Sequence, residues 1–561
     1  MTSTTTSLPS ISANFFDVLM LIDRSENLSV RRRQDLASAV RTVARVFGRD
    51  PAQIPCRSDV LARRLAEVPY LAHGLSKGRW ANIRSLVNAA LDLVQPMMPG
   101  RHQEPLSPAW EKLMLQSDDN NSLRRRVSKA VHWLSARKVE PDQVTQEHLN
   151  EFLEALRQTS LAKDPEAAWR NYAYGWNRAI TRISGWPPVA ITVQNRRPVQ
   201  SLPWSAFPSS FKEDVDGYLA HVMGCDLLGE GPVRPVKQIT ADTWNFHLRY
   251  FASALVHRGH DPSTIRTLAD LTAIDRFKEG LRFFIEKNDG KSSSYIHAFA
   301  ALMKAIAQHW VKVDDEHLKE MIDIASRLAP ARRGMTRKNR DRVRQFEDRN
   351  VAVALVTLPD KLMRIADAVG AASRKAAILA QKAVAIELLL MAPMRISNLA
   401  AIDLDVHLVR HRRSGAVHLV IDPEIDEVKN DEPLDFPLPA ETVVLIDRYV
   451  DTYRPLLVRD PTNRALFPNS TNGSKGRSLL GKQISETVFK YIGVKMNPHL
   501  FRHVAAKLFL DQTPGGYGVV QRVLAHRSAD TTTRFYTGFE TAAAVRHFDD
   551  VVLSLRHGDR P

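Results

Sequence analysis

The sequence predicts a mostly helical, multi-domain protein that ends in an α+β domain with one small antiparallel sheet. Three observations carry this. Apolar residues recur at helical spacing over most of the 561 residues. A helix, an acidic-Pro turn and further helices occur three times, with the turn at Asp50-Pro51, Glu140-Pro141 and Asp261-Pro262, which suggests a repeated small helical domain. Between residues 406 and 438 the pattern changes to three short β-like runs separated by turn residues. At roughly 100–200 residues per domain, a chain of this length holds several.

Residues 1–13 are Ser/Thr-rich and read as a disordered tail. The first helical domain is expected over 14–112. Leu36, Val40, Val43 and Phe47 form one face of a helix, "NIRSLVNAALDLV" a later one, and four prolines between Pro96 and Pro108 end the unit. The second, over 113–200, opens with the stripe Val127, Val131, Leu134. It continues through "TQEHLNEFLEALRQ", N-capped by Thr145, and closes with "AWRNYAYGWNRAI". The third, over 205–315, has Trp244, Leu248, Phe251 and Leu255 on one face and ends at "SSSYIHAFAALMKAIAQHW".

Residues 316–345 read as a basic interdomain linker. From 332 to 349 the chain carries eight Lys/Arg against three acids. Arg332, Arg333, Arg337, Lys338, Arg340, Arg342 and Arg344 are the candidate contacts to a phosphate backbone, against the plainer reading of a solvated charged stretch. The last domain spans 346–561. It starts with apolar helices at 360–369 and 374–391. A three-stranded meander made of "VHLVRH", "AVHLVID" and "LDFPLP" follows, and helices resume from about 478.

Lys plus Arg outnumber Asp plus Glu by 78 to 62, a net charge of +16. Nucleic acid or another anionic surface is therefore a candidate partner, with a solvated basic surface as the alternative. Cys56 and Cys225 are the only cysteines, too few for a disulfide framework or a cysteine-based zinc site. The N-terminus lacks a basic n-region, and no apolar run approaches the roughly 18 residues of a membrane span. A cytoplasmic protein without a membrane partner is expected.

The chemistry concentrates between His499 and Tyr536. His499 and Arg502 stand three apart at the start of an apolar helical run, so both can face one small anion. An Arg fork matches phosphate bidentately, where Lys does not. Taken singly, His-x-x-Arg is equally a helix-end ion pair, His526 a structural histidine and Tyr536 a core tyrosine. Three competing motifs are weaker. "GRSLLGKQ" lacks the Ser/Thr of a phosphate-binding loop. His499 and His503, four apart, lack a nearby acidic third zinc ligand. No Gly-x-Ser-x-Gly elbow is present. No metal and no cofactor are expected.

Residues 346–556 resemble the catalytic domain of the tyrosine recombinase (phage-integrase) family. "LLLMAPMRISNLAAIDL" puts the family's first Arg at Arg395, and "EIDEVKNDEPLDFPLP" its hairpin Lys at Lys429. "PHLFRH" supplies His499 and Arg502, "LAHRS" His526, and "TTTRFYTG" the nucleophile Tyr536. The sequence departs from the pattern in three places. Ala392-Pro393-Met394 replaces the usual Thr-Gly-Leu, and Asn398 stands where an acidic residue is common. His526 to Tyr536 is one residue longer than the commonest spacing.

The resemblance implies an enzyme, a site-specific DNA recombinase or integrase of a mobile element. It would cleave and rejoin DNA through a 3′-phosphotyrosyl intermediate for integration, excision or transposition. Arg395 and Arg502 would clamp the phosphate, His526 would add a hydrogen bond, and Lys429 would protonate the departing 5′-oxygen. His499 would take the Tyr536 proton or assist by a hydrogen bond. The partner would be a double-stranded recombination site, with 205–315 as a core-binding (SAM-like) domain. A homo-oligomer, dimer or tetramer on DNA, would form through the amphipathic C-terminal helix "FETAAAVRHFDDVVLSL", with element-encoded accessory proteins and nucleoid association as further implications. Two alternatives remain: a type IB topoisomerase-like relaxase, and a non-catalytic DNA-binding accessory protein of the same fold.

Overall fold

The computed structural model describes residues 13–94, 105–116, 121–159, 164–192, 200–224, 235–330, 334–411, 415–422, 433–525, 532–533, 536 and 541–557. The expected tail at 1–13 lies almost wholly outside them. The chain divides into two compact units, residues 194–333 and the remainder. The protein is mostly helical with one three-stranded antiparallel sheet.

Three helical clusters precede the sheet-bearing region, with cores built around Phe15 to Leu91, Trp110 to Ile191 and Phe207 to Ala325. Each contains the same local device. The helices Val30–Phe47, Asn121–Ala136 and Gln238–His257 are followed by a left-handed residue, Gly48, Lys138 and Gly259, with φ of 60°, 59° and 99°. The next residue donates its N–H back five positions: Arg49 to Ala44 O at 3.2 Å, Val139 to Leu134 O at 3.1 Å and His260 to Leu255 O at 3.1 Å. That is a Schellman ending, which satisfies the last carbonyls of the helix.

An acidic residue and a proline then open a single 3-10 turn, Pro51–Gln53, Pro141–Gln143 and Pro262–Thr264. Proline fits there because its missing N–H would have no helical partner. Asp50 Oδ1 accepts from the Ala52 N–H and Asp261 Oδ1 from the Ser263 N–H, each at 2.9 Å. Glu140 instead donates its own N–H to Gln143 Oε1 at 3.3 Å. The residue after each turn, Ile54, Val144 or Ile265, is buried in its cluster.

The C-terminal region is arranged around the helix Arg374–Met391, which is apolar on nearly every face. It packs against Leu358–Val369 after a four-residue connection that includes Gly370 at φ 103°. Strands β1 (Leu408–Arg410), β2 (Val417–Ile421) and β3 (Leu434–Pro437) pair antiparallel in that order, with Leu408 opposite Leu419 and Leu419 opposite Phe436. Alternation in β2 sends Val417, Leu419 and Ile421 into the core. Helices Arg477–Ile492, Pro498–Gln512 and Tyr517–Val523 complete this core, and Thr541–His557 follows.

Several boundaries differ from the sequence reading. The stretch 316–345 is not a linker throughout. Asp315–Leu328 is a helix that buries Met321 and Ala325 in the third cluster. Arg337–Arg344 is a helix that buries Val343, with Met335, in the C-terminal core. A cut at 112/113 would split the helix Pro108–Leu115, whose Trp110 packs on Trp176 and Trp186 of the second cluster at ring separations of 6.3 and 5.7 Å. Helices resume after β3 at Ala440–Arg448, well before 478. Sparse apolar residues among many arginines hid the helix Arg337–Arg344, and the short span of "AETVVLIDR" the last.

Candidate active site

Asn497 starts the helix that carries the candidate residues. Its side chain accepts from the Leu500 N–H at 3.1 Å, and Pro498 occupies the first turn. The helical period then puts His499, Arg502 and His503 on one side. His499 is exposed, whereas Arg502 and His503 are 3% and 6% exposed.

Arg395 caps the short helix Ile396–Ala401, directly after the chain leaves the central helix. Arg502 reaches back to this junction. Its Nη1 donates to the carbonyl of Pro393 at 2.6 Å, and its Nη2 donates to the carbonyl of Leu524. One guanidinium therefore ties the turn bearing Arg395 to the end of the helix Tyr517–Val523, where Ala525 adopts a left-handed φ of 46°. Two of the five N–H groups of Arg502 are used this way. Burial, and then the neighbouring Arg395 charge, push Arg502 down to about 10, so it stays cationic at neutral pH. Burial also lowers the pKa of Arg395.

Tyr536 is 1% exposed. Its hydroxyl lies 2.9 Å from His503 Nδ1, and the two ring centroids are 5.6 Å apart. The His499 ring meets His503 edge-on at 5.0 Å. Burial raises the phenol pKa, while the Arg502 charge opposes that rise. A phenol so placed is protonated at neutral pH, and it becomes a nucleophile only if a base takes the proton and a cation supports the oxyanion. Both kinds of group stand beside it.

Residues 358–541 match the family model described as the phage integrase family. This region belongs to the phage integrase family. No curated protein sequence matches the chain. Among solved structures, the XerH site-specific recombinase bound to difH substrate is 13% identical, covering 79% of this chain and 96% of its own, with a TM-score of 0.35. A lambda integrase(75-356) dimer bound to a COC′ core site is 14% identical, covering 58% and 94%, at 0.34. The Tn1549 transposon integrase in complex with circular intermediate DNA is 17% identical, covering 56% and 94%, also at 0.34. These superpositions are loose, and the assignment rests on the match over 358–541.

Within this integrase-family region the structure brings Arg502 into electrostatic range of both Arg395 and Tyr536, with the His499 ring against His503. Lys429 and His526 lie outside the described residues, as do Arg332 and Arg333. Of the other basic candidates, Arg337, Lys338, Arg340 and Arg344 are exposed and Arg342 is half-buried on their helix. Asn398, which replaces the family's acid, is 8% exposed; its Oδ1 accepts from Ser397 Oγ at 3.3 Å, and its Nδ2 has no partner among the described residues. The residue the sequence reading missed is His503, considered there only as a zinc ligand. Its one sequence signal is that it follows Arg502 and stands four after His499. Among the described residues no group of three metal-ligating side chains occurs. None of their helices is long and apolar enough to cross a membrane.

Proposed function

We propose that the chain is a site-specific DNA recombinase that breaks and rejoins double-stranded DNA through a 3′-phosphotyrosyl intermediate. The observation that carries this is the buried Tyr536 hydroxyl within the integrase-family region, held by an imidazole and flanked by the Arg502 guanidinium.

In this reading the Tyr536 oxygen attacks the scissile phosphorus. Arg395 and Arg502 stabilise the non-bridging oxygens through preorganised charge. Burial, and then their mutual proximity, depress the Arg502 pKa, a tension that an incoming phosphate dianion-like transition state would relieve. His499 and His526 add hydrogen bonds, and Lys429 protonates the leaving 5′-oxygen as general acid. The phosphodiester energy is retained in the tyrosyl ester, so rejoining needs neither nucleotide nor cofactor. The neighbouring structures are of a site-specific recombinase bound to difH substrate, a lambda integrase dimer bound to a core site and a transposon integrase with circular intermediate DNA. We carry over a mobile-element role by analogy.

The recurring Schellman and acidic-Pro turn supports reading 14–94, 105–192 and 202–328 as three copies of one helical module. The third takes the core-binding role, and the first two extend the DNA or protein contacts. The helix Arg337–Arg344 offers its exposed arginines to the phosphates. Val545, Phe548 and Leu553 leave an apolar face on Thr541–His557, at 52%, 66% and 42% exposure. That face suits docking on a neighbouring protomer in a dimer or tetramer on DNA.

The test uses a binding site selected from a pool of random duplexes, nicked so that cleavage releases a short strand and traps the intermediate. The wild-type chain accumulates a denaturation-resistant protein–DNA adduct. Tyr536→Phe binds the same duplex and forms none. An adduct of wild-type yield from Tyr536→Phe would overturn the proposal.

A further inference from the structure

His503 occupies a position that the integrase reading does not use. Its Nδ1 is 2.9 Å from the Tyr536 oxygen, within direct hydrogen-bond reach of the atom that would attack phosphorus. Both side chains are almost fully buried, at 6% and 1% exposure, so the contact is fixed by packing and is not an incidental surface pairing. The sequence reading had His499 take the proton or assist by a hydrogen bond, and the structure puts the His499 ring in edge contact with His503 at 5.0 Å.

Arg502, the preceding residue, is near enough to Tyr536 to oppose the rise in its pKa, and Arg395 is near enough to Arg502 to lower that of Arg502. One helical turn further on, Lys507 is paired with Asp511. A cation beside the phenol favours loss of its proton, but it cannot receive that proton, because neither guanidinium has a lone pair to offer. An imidazole with Nδ1 unprotonated can.

Resting on the recombinase reading above, we infer that His503 is the proton acceptor for the Tyr536 nucleophile and also holds its hydroxyl in place. As the Tyr536 oxygen forms its bond to phosphorus, the phenol proton moves to Nδ1 of His503. The bond from phosphorus to the 5′-oxygen breaks, and that oxygen takes its proton from the general acid. On rejoining, the 5′-hydroxyl attacks phosphorus and gives its proton back to the deprotonated general acid, while the imidazolium returns its proton to the departing phenolate. Charge and protons balance without any further reactant.

Three full-length variants and two duplexes test this. His503→Asn keeps a hydrogen-bonding oxygen or nitrogen close to where Nδ1 stood but cannot take a proton in the neutral range. His503→Ala removes the contact, and a Lys429 variant affects the leaving group instead. Each is compared with the wild type for binding to the selected duplex and for the single-turnover rate of adduct formation between pH 6 and 9. A second duplex carries a 5′-bridging sulfur, whose departure needs no proton. Without wild-type adduct, the recombinase reading itself fails.

With wild-type adduct present, both His503 variants bind DNA normally and are about 100-fold or more slower at pH 7. Their rates climb with pH where the wild type levels off, and the sulfur duplex restores the Lys429 variant but not the His503 variants. Wild-type rate and pH profile in His503→Ala would overturn the inference. So would full recovery by His503→Asn, which would leave His503 a positioning residue only, and so would rescue of the His503 variants by the sulfur duplex.

Discussion

Arg502 shows how one side chain can both build and serve a site. Its two terminal nitrogens hold the carbonyls of Pro393 and Leu524, and so join two loops far apart in sequence. Lysine supplies a point charge and cannot span both carbonyls. Arg502→Lys is expected to cost about 1–3 kcal/mol in unfolding free energy, the range for stranding a buried acceptor. Adduct formation should fall by roughly 100-fold or more. Chemical denaturation and single-turnover cleavage measure the two, and a variant that loses neither would contradict the bridging role.

Lys475 gives a residue-scale test away from the site. It is 8% exposed, with its ammonium bonded to Gln381 Oε1 and 3.3 Å from Gln483 Oε1. Burial, with Lys382 and Arg374 nearby, holds its pKa down to about 8 against an ordinary 10.5. Between these values the unfolded chain binds the extra proton, so this group makes stability rise as pH increases from about 8 to 10.5. Below about 8 both states are protonated and its slope vanishes. Lys475→Met should lack that rise when unfolding free energy is followed across the window, and an unchanged slope would rule the assignment out.

At the scale of elements, close helix crossings depend on glycine. A Cβ on Gly280 would come within 2.4 Å of Phe251 Cζ and 2.6 Å of its Cε1. Phe251 cannot retreat, since it is fully buried among Phe277, Phe284 and Phe299 at ring separations of 6.5, 6.2 and 6.0 Å. Gly280→Ala would gain about 1 kcal/mol of helix propensity. Overpacking of about 1–3 kcal/mol should outweigh it, making the variant less stable in denaturant; a more stable variant would show that the two helices can part.

Much of this level was legible in the sequence. Leu36, Val40 and Val43, or Trp244, Leu248 and Phe251, mark their helices by period alone, and Val417, Leu419 and Ile421 mark β2 by alternation. The recurring acidic-Pro turns were visible as well, although the left-handed residue three before each proline was not, because one copy uses Lys138 where the others use glycine. Met335, Val343 and Phe346 are too sparse among arginines to announce a packed helix. His503 has only its place beside Arg502 and four after His499 to mark it in the sequence. Its contact with Tyr536 joins residues 33 apart through tertiary packing, which no local pattern encodes.

For the whole molecule, charge decides how it meets its partner. A net charge of +16 with exposed arginines on the helix Arg337–Arg344 predicts binding through many phosphates. Affinity for the selected duplex should then drop by about 1,000-fold or more between 50 and 200 mM salt, the loss expected for six or more phosphate contacts. A flat salt response in a filter-binding or fluorescence titration would count against a protein wrapped along the backbone.

The central claim is that Tyr536 becomes covalently joined to the 3′ end of a cleaved strand. Digesting the trapped adduct with trypsin and nuclease and sequencing the modified peptide by mass spectrometry tests it directly. The account predicts a nucleotide linked through its 3′-phosphate to Tyr536, in the peptide that begins at Phe535 after Arg534. A linkage through the 5′ end, a modification on any other residue, or the absence of a modified peptide from DNA-bound protein would contradict it.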